Sequence, residues 1–119
     1  MDIKRVKVGV VGCGIISHVY LRNMTRLFRI LDVVAVCDLN AELAQQAAKE
    51  YGIPHIMTLD EMAQSPEIEL VVNLTGANAH YGIIRAMLLA GKHVYSEKPL
   101  AADLEKGRDL IRIAKEKGL

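Results

Sequence analysis

The stretch Val6–Ser17, V-K-V-G-V-V-G-C-G-I-I-S, limits what this chain can fold into more than any other. A mostly β-branched run from Val6 to Val11 stops at glycine, and a helical pattern starts directly behind it. That sequence of signals predicts a strand, a tight turn and a helix start. Gly12 admits a backbone bend that a side chain would obstruct. Gly14 leaves room for a pyrophosphate against the main chain, where the anion rests on free N–H groups at the helix N-terminus. The third small position of the G-x-G-x-x-G pattern is Ser17 instead of glycine or alanine, which still permits close packing of helix on strand.

Three small residues at this spacing also occur in ordinary turns. The second apolar run, Val33–Cys37, adds weight because it ends in Asp38, about 20 residues beyond Ser17, where an acid that holds an adenosine ribose belongs. Strand, glycine turn, helix, strand and acid together predict a dinucleotide-binding unit. The competing reading is the same scaffold without a nucleotide. A carboxylate at position 38 accepts hydrogen bonds from ribose hydroxyls and repels a 2′-phosphate, and no arginine stands beside it in Leu39-Asn40, so NAD is favoured over NADP.

With 119 residues the chain forms one domain, residues 1–119, around a single core. A formal net charge of +1 offers no attraction to polyanions, so nucleic acid is not an expected partner. No run approaches the length of a membrane span, and the charged segment Met1–Lys7 leads into a strand instead of an apolar signal segment. A cytoplasmic protein is expected, with no membrane partner. Cys13, in the glycine turn, and Cys37, at the end of the second strand, are expected as a reduced pair; the sharper alternative is a redox-sensitive pair gating the cofactor site. His18, His55 and His93 lack metal-site spacing, and no metal is expected.

Behind the glycine turn, Ile16, Tyr20, Met24, Leu27 and Leu31 recur at helical spacing and are expected to face a sheet. Asn40 reads as the N-cap of a helix with Leu43, Ala47 and Tyr51 inward, closing on Gly52. A short strand is expected at His55–Met57, and Thr58 with Glu61 has capping-box spacing. A fourth strand covers Leu70–Leu74, a helix runs from about Ala79 to Ala90, and a fifth strand covers His93–Ser96. Asp103 caps a last helix, with Leu104, Ile111 and Ala114 inward, ending at Gly118. This β/α alternation predicts an α/β fold with a doubly wound parallel sheet of Rossmann type. Because the chain stops after a helix, it is expected to be the amino-terminal part of a longer protein, cut before a sixth strand and a C-terminal substrate domain.

The segment G-K-H-V-Y-S-E-K-P-L-A (residues 91–101), following V-V-N-L-T-G-A-N-A-H (residues 71–80) and the glycine turn, resembles the N-terminal domain of the Gfo/Idh/MocA oxidoreductases over essentially the whole chain. The resemblance implies a domain that binds NAD or NADP for hydride transfer on sugars, cyclitols or related hydroxyl and carbonyl compounds. It implies that Gly12, Gly14, Ile15 and Ile16 hold the pyrophosphate, Asp38 the adenosine ribose, that Thr75 and His80 line the cofactor groove, and that Glu97 approaches the nicotinamide ribose. By the same resemblance Lys98 reaches both nicotinamide and substrate and is the catalytic candidate: near a substrate hydroxyl it could orient the oxygen and relay its proton, provided neighbours lower its pKa. The family's usual Thr-Pro-Asn is replaced after Thr75 by Gly76-Ala77, which limits those two positions to backbone contacts. A sugar-like or polyol substrate is expected in the complete protein, a homo-oligomer is left open, and a non-catalytic dinucleotide sensor or interaction module is the alternative function.

Overall fold

The computed structural model describes residues 3–119; Met1 and Asp2, part of the predicted domain and its charged start, lie outside the described residues. Five strands, β1 (Val6–Val11), β2 (Leu31–Cys37), β3 (His55–Ile56), β4 (Leu70–Asn73) and β5 (His93–Ser96), alternate with five α-helices. These are α1 (Ser17–Arg26), α2 (Ala41–Tyr51), α3 (Leu59–Gln64), α4 (His80–Leu89) and α5 (Leu104–Lys117), with a 3₁₀ turn at Ala77–Ala79 ahead of α4. The sheet is entirely parallel in the order β3-β2-β1-β4-β5. Its order reverses between β1 and β4, and open α/β sheets hold ligands in the crevice at such a point.

The two faces of the sheet carry separate cores. Val8, Val10, Val33, Val36 and Val72 meet Leu21 and Met24 of α1 and Ala44 and Ala47 of α2 on one face. Val11, Val34, Ala35 and Val71 meet Met62 of α3 and Met87 of α4 on the other. Burial on both faces explains the apolar runs Val8–Val11 in β1 and Val33–Cys37 in β2, which follow the half-buried Lys7 and Asp32. The predicted caps are present: Asn40 Oδ1 accepts from the Glu42 and Leu43 amides, Thr58 and Glu61 form a reciprocal capping box, and Asp103 accepts from the Lys106 amide.

Two helical faces differ from expectation. On α1 the buried residues are Ser17, Leu21 and Met24, whereas Ile16 and Leu27 are largely exposed and Leu31 already belongs to β2. The glycine turn sets where the helix starts, so the small Ser17 side chain faces the sheet with Leu21; of the expected stripe, Met24 is buried and Tyr20 packs partly buried on the same core. On α5 the buried residues are Leu110 and Ile113, which pack against Ile84 and Leu88 of α4, while Leu104 and Ile111 are exposed. That helix rests on α4, and the geometry of its partner chooses its inward face.

Candidate functional site

The strand ends deliver the candidate residues in a row. Hydrogen bonds continue past the strands, from the Gly12 amide to Cys37 O (2.8 Å), the Leu74 amide to Val11 O (2.7 Å) and the Glu97 amide to Asn73 O (3.0 Å). Asp38, Gly12, Thr75 and Glu97 therefore emerge side by side along the carboxyl edge of the sheet. A cleft of about 470 Å³ opens there, lined by Gly12, Gly14, Asp38, Leu39, Thr75 and Gly76 together with apolar side chains that include Leu59 and Ile83.

The two glycines act differently. Gly12 has φ +102°, and a Cβ on it would stand 2.7 Å from the carbonyl carbon and oxygen of Leu74. Both the backbone conformation and the approach of β4 demand glycine there. A Cβ on Gly14 would meet nothing within 4 Å, so this position leaves open space at the cleft. The Ser17 hydroxyl donates to Gly14 O at 2.6 Å, and the residue is fully buried, closing the turn against the sheet.

The start of α1 has no side-chain cap and no acidic residue in its first turn. Among the described residues, no protein acceptor meets the amides of Gly14, Ile15 or Ile16. Such a helix end is a ready site for an anion. Ile15, 94% exposed, and Ile16, about half exposed, offer the ligand main chain more than side chain. Opposite stands Asp38, whose Oδ2 accepts from the Cys13 amide at 2.8 Å and whose Oδ1 accepts from the Asn40 amide at 2.8 Å. The carboxylate thus faces the glycine turn.

On the β4 side, the Thr75 hydroxyl donates to Asn73 Oδ1 at 2.7 Å, and Asn73 Nδ2 donates to Ser96 Oγ at 3.1 Å. Asn73, fully buried at the end of an apolar run, escaped sequence reasoning; a lone polar residue closing that run was its only signal. His80, expected along the groove, lies behind it and is 1% exposed. Its Nε2 faces Thr75 O at 2.8 Å and its Nδ1 faces Pro99 O at 2.5 Å, so the ring joins the two turns. Both contacts are hydrogen bonds only when both ring nitrogens carry protons.

Glu97 and Lys98 follow β5. Glu97 Oε2 accepts from the Tyr20 hydroxyl at 2.5 Å and Oε1 from the Lys98 amide at 3.2 Å. The Tyr20 bond, then the amide, hold the carboxyl below its usual range, and the same phenol bond pushes Tyr20 up to about 12. Lys98 is exposed, its ammonium has no carboxylate within salt-bridge distance among the described residues, and its bond to Pro99 is cis. Cys13 and Cys37 are both buried free thiols; burial pushes Cys13 up to about 12 and raises Cys37 as well.

A sequence profile described as an oxidoreductase family with an NAD-binding Rossmann fold, GFO_IDH_MocA, matches residues 6–119. The chain belongs to the Gfo/Idh/MocA family. Among its relatives is the inositol 2-dehydrogenase/D-chiro-inositol 3-dehydrogenase of Lactiplantibacillus plantarum, 38% identical over 94% of this chain and 33% of that protein. The NADP(+)-dependent scyllo-inositol 2-dehydrogenase IolW of Bacillus subtilis is 32% identical over 96% of this chain and 31% of that protein. The fold superposes on GenD2 from gentamicin A biosynthesis, solved in complex with NAD, with a TM-score of 0.92 at 29% identity over 100% of this chain and 34% of that one. It also superposes on scyllo-inositol dehydrogenase from Lactobacillus casei, solved with NAD(H) and scyllo-inositol, with a TM-score of 0.88 at 27% identity over 97% and 34% of the two chains. The Gfo/Idh/MocA domain described here thus spans about a third of the length of these relatives.

Proposed function

We propose that this domain holds NAD with its diphosphate at the glycine turn, its adenosine ribose on Asp38 and its nicotinamide end toward Glu97 and Lys98. It would do so within a protein that transfers hydride between NAD and a hydroxyl-bearing carbon of a cyclitol, sugar or related compound. The observation that carries this reading is the uncapped start of α1, bordered by the open space at Gly14, with the Asp38 carboxylate on the Cys13 amide of the same turn and lining the same cleft. An anion belongs at the first of these, a pair of hydroxyls at the last.

The bound dinucleotide supplies the hydride acceptor or donor. The chain's own part is positional and electrostatic. The α1 amides and the positive end of its dipole bind phosphate oxygens, and Asp38 accepts from ribose hydroxyls while disfavouring a 2′-phosphate. Lys98, exposed directly after Glu97, would as a free amine take the proton of a substrate hydroxyl at Nζ and, as an ammonium, return it to the oxygen in the reverse direction. The dehydrogenases of inositols among the relatives support a cyclic polyol as the substrate class. Two buried free thiols suit a cytoplasmic, reducing compartment, and no helix among the described residues is long and apolar enough to cross a membrane.

Calorimetric titration with NADH and NADPH tests the binding role: NADH is expected to bind more tightly, and tighter NADPH binding would overturn the role given to Asp38. In the protein at its native length, Lys98→Met should abolish turnover of cyclitols or sugars and leave NADH affinity nearly unchanged. Undiminished turnover would remove Lys98 from the mechanism, and NADH binding without any turnover by the parent would favour the non-catalytic module.

A further inference from the structure

Tyr20 belongs to none of the motifs that define the domain, yet it joins two of them. It sits one turn into α1, the helix that begins at the glycine turn, and its hydroxyl reaches a carboxylate 77 positions later in the chain. Its ring is also tilted against Tyr95 of β5, with centroids 6.4 Å apart and planes at 60°. The acceptor, Glu97, gives its second oxygen to the main-chain amide of Lys98. Both carboxylate oxygens are thus engaged within the protein, one by a helix and one by the residue proposed to meet the substrate.

We propose that Tyr20 is a positioning residue for Lys98: its phenol fixes the Glu97 carboxylate, which in turn fixes the backbone from which the Lys98 side chain departs. The inference rests on the role proposed for Lys98. Its consequence is that the helix behind the glycine turn and the loop after β5 are registered by one chain of hydrogen bonds. A phenylalanine at this position keeps the ring against Tyr95 and removes only the donor, which separates the relay from simple packing. Glu97 is faced by Tyr20 from α1, by His80 from α4 and by Lys98 from its own loop, and Tyr95 of β5 borders Tyr20.

The first test needs no activity. In an NMR titration of carboxyl carbons, Glu97 should titrate below the ordinary range in the parent chain and move up in Tyr20→Phe; an unmoved Glu97 would overturn the relay. If Tyr20→Phe does not fold, Glu97→Gln serves instead: ultraviolet titration of the tyrosines should then show the phenol near pH 12 return toward about 10. Failure of that component to move also overturns it. The second test uses the protein at its native length. Tyr20→Phe should lower kcat by about tenfold to a hundredfold through misplacement of Lys98, while NADH affinity stays within about twofold. An unchanged kcat would reject the positioning role even with the titration as expected. Absence of NADH binding by the parent would instead defeat the dehydrogenase reading, and the carboxyl titration would still decide the relay.

Discussion

Alanine at Gly12 and alanine at Gly14 should produce opposite defects. At Gly12 an L-residue would have to adopt φ +102°, and left-handed backbone costs a side-chain-bearing residue about 1–2 kcal/mol. The added methyl would also lie 2.7 Å from Leu74 C and O and 2.9 Å from the Thr75 amide nitrogen. These neighbours are main chain, and Leu74 is tied to Val11 O at 2.7 Å, so they cannot swing aside as a flexible side chain would. Overpacking of that kind adds about 1–3 kcal/mol. The combined loss of about 2–5 kcal/mol is a large part of a total stability of about 5–15 kcal/mol. In urea unfolding followed by circular dichroism, the Gly12→Ala midpoint should fall by roughly 1–3 M. Gly14→Ala, whose methyl meets nothing within 4 Å, should unfold within about 0.5 kcal/mol of the parent. Its cost should instead fall on NADH binding, by about 1–3 kcal/mol, because the methyl occupies the space left for phosphate. Equal stability losses for the two variants, or undiminished NADH binding by Gly14→Ala, would refute the assignment of one glycine to the fold and the other to the ligand.

Three further outcomes are expected. Gly76 has φ −64° and ψ 153°, its amide has no acceptor among the described residues, and a Cβ there meets nothing, so the proline usual in the family fits this backbone. Gly76→Pro should stabilise the chain by about 0.4–1 kcal/mol, a rise of roughly 2–6 °C in Tm by calorimetry; a fall in Tm would show that the turn needs glycine. Both cysteines, with their pKa values raised by burial, should resist alkylation at neutral pH in the native chain and react fully in denaturant, with and without prior reductant; rapid native labelling would restore a redox role. Glu97 is held below the usual carboxyl range, so the folded state releases this proton at lower pH than the unfolded chain. Its stabilising contribution is complete above the ordinary carboxyl range and is lost as pH falls through the folded value. Glu97→Gln should flatten that acidic segment in a plot of urea midpoint against pH, and an unaltered slope would show that the carboxylate contributes nothing there.

Much of the domain was legible from local signals. The glycine turn, the caps at Asn40, Thr58 and Asp103, and the strand at His93–Ser96 are set by residues a few positions apart, and the structure contains each of them. The faces of α1 and α5 were less legible because apolar residues lie on both flanks of each helix. Ile16 and Leu27 compete with Leu21, and Ile111 competes with Leu110 and Ile113, so periodicity alone admits more than one phase. His80 shows a different limit: the family resemblance implied a groove residue, whereas the ring is buried between two main-chain carbonyls.

By itself the sequence determined the order of elements, the dinucleotide-type turn and the acid that closes the second strand, since each depends on short-range backbone preference and spacing. Only the tertiary structure decided that the Asp38 carboxylate turns toward the Cys13 amide, that Asn73 links Thr75 to Ser96 and that Tyr20 meets Glu97. Those contacts join residues on separate strands and helices, and the strand order β3-β2-β1-β4-β5 brings them to one edge. A side chain's partner across that edge is chosen by packing of the whole sheet, for which no local pattern in the chain is a substitute.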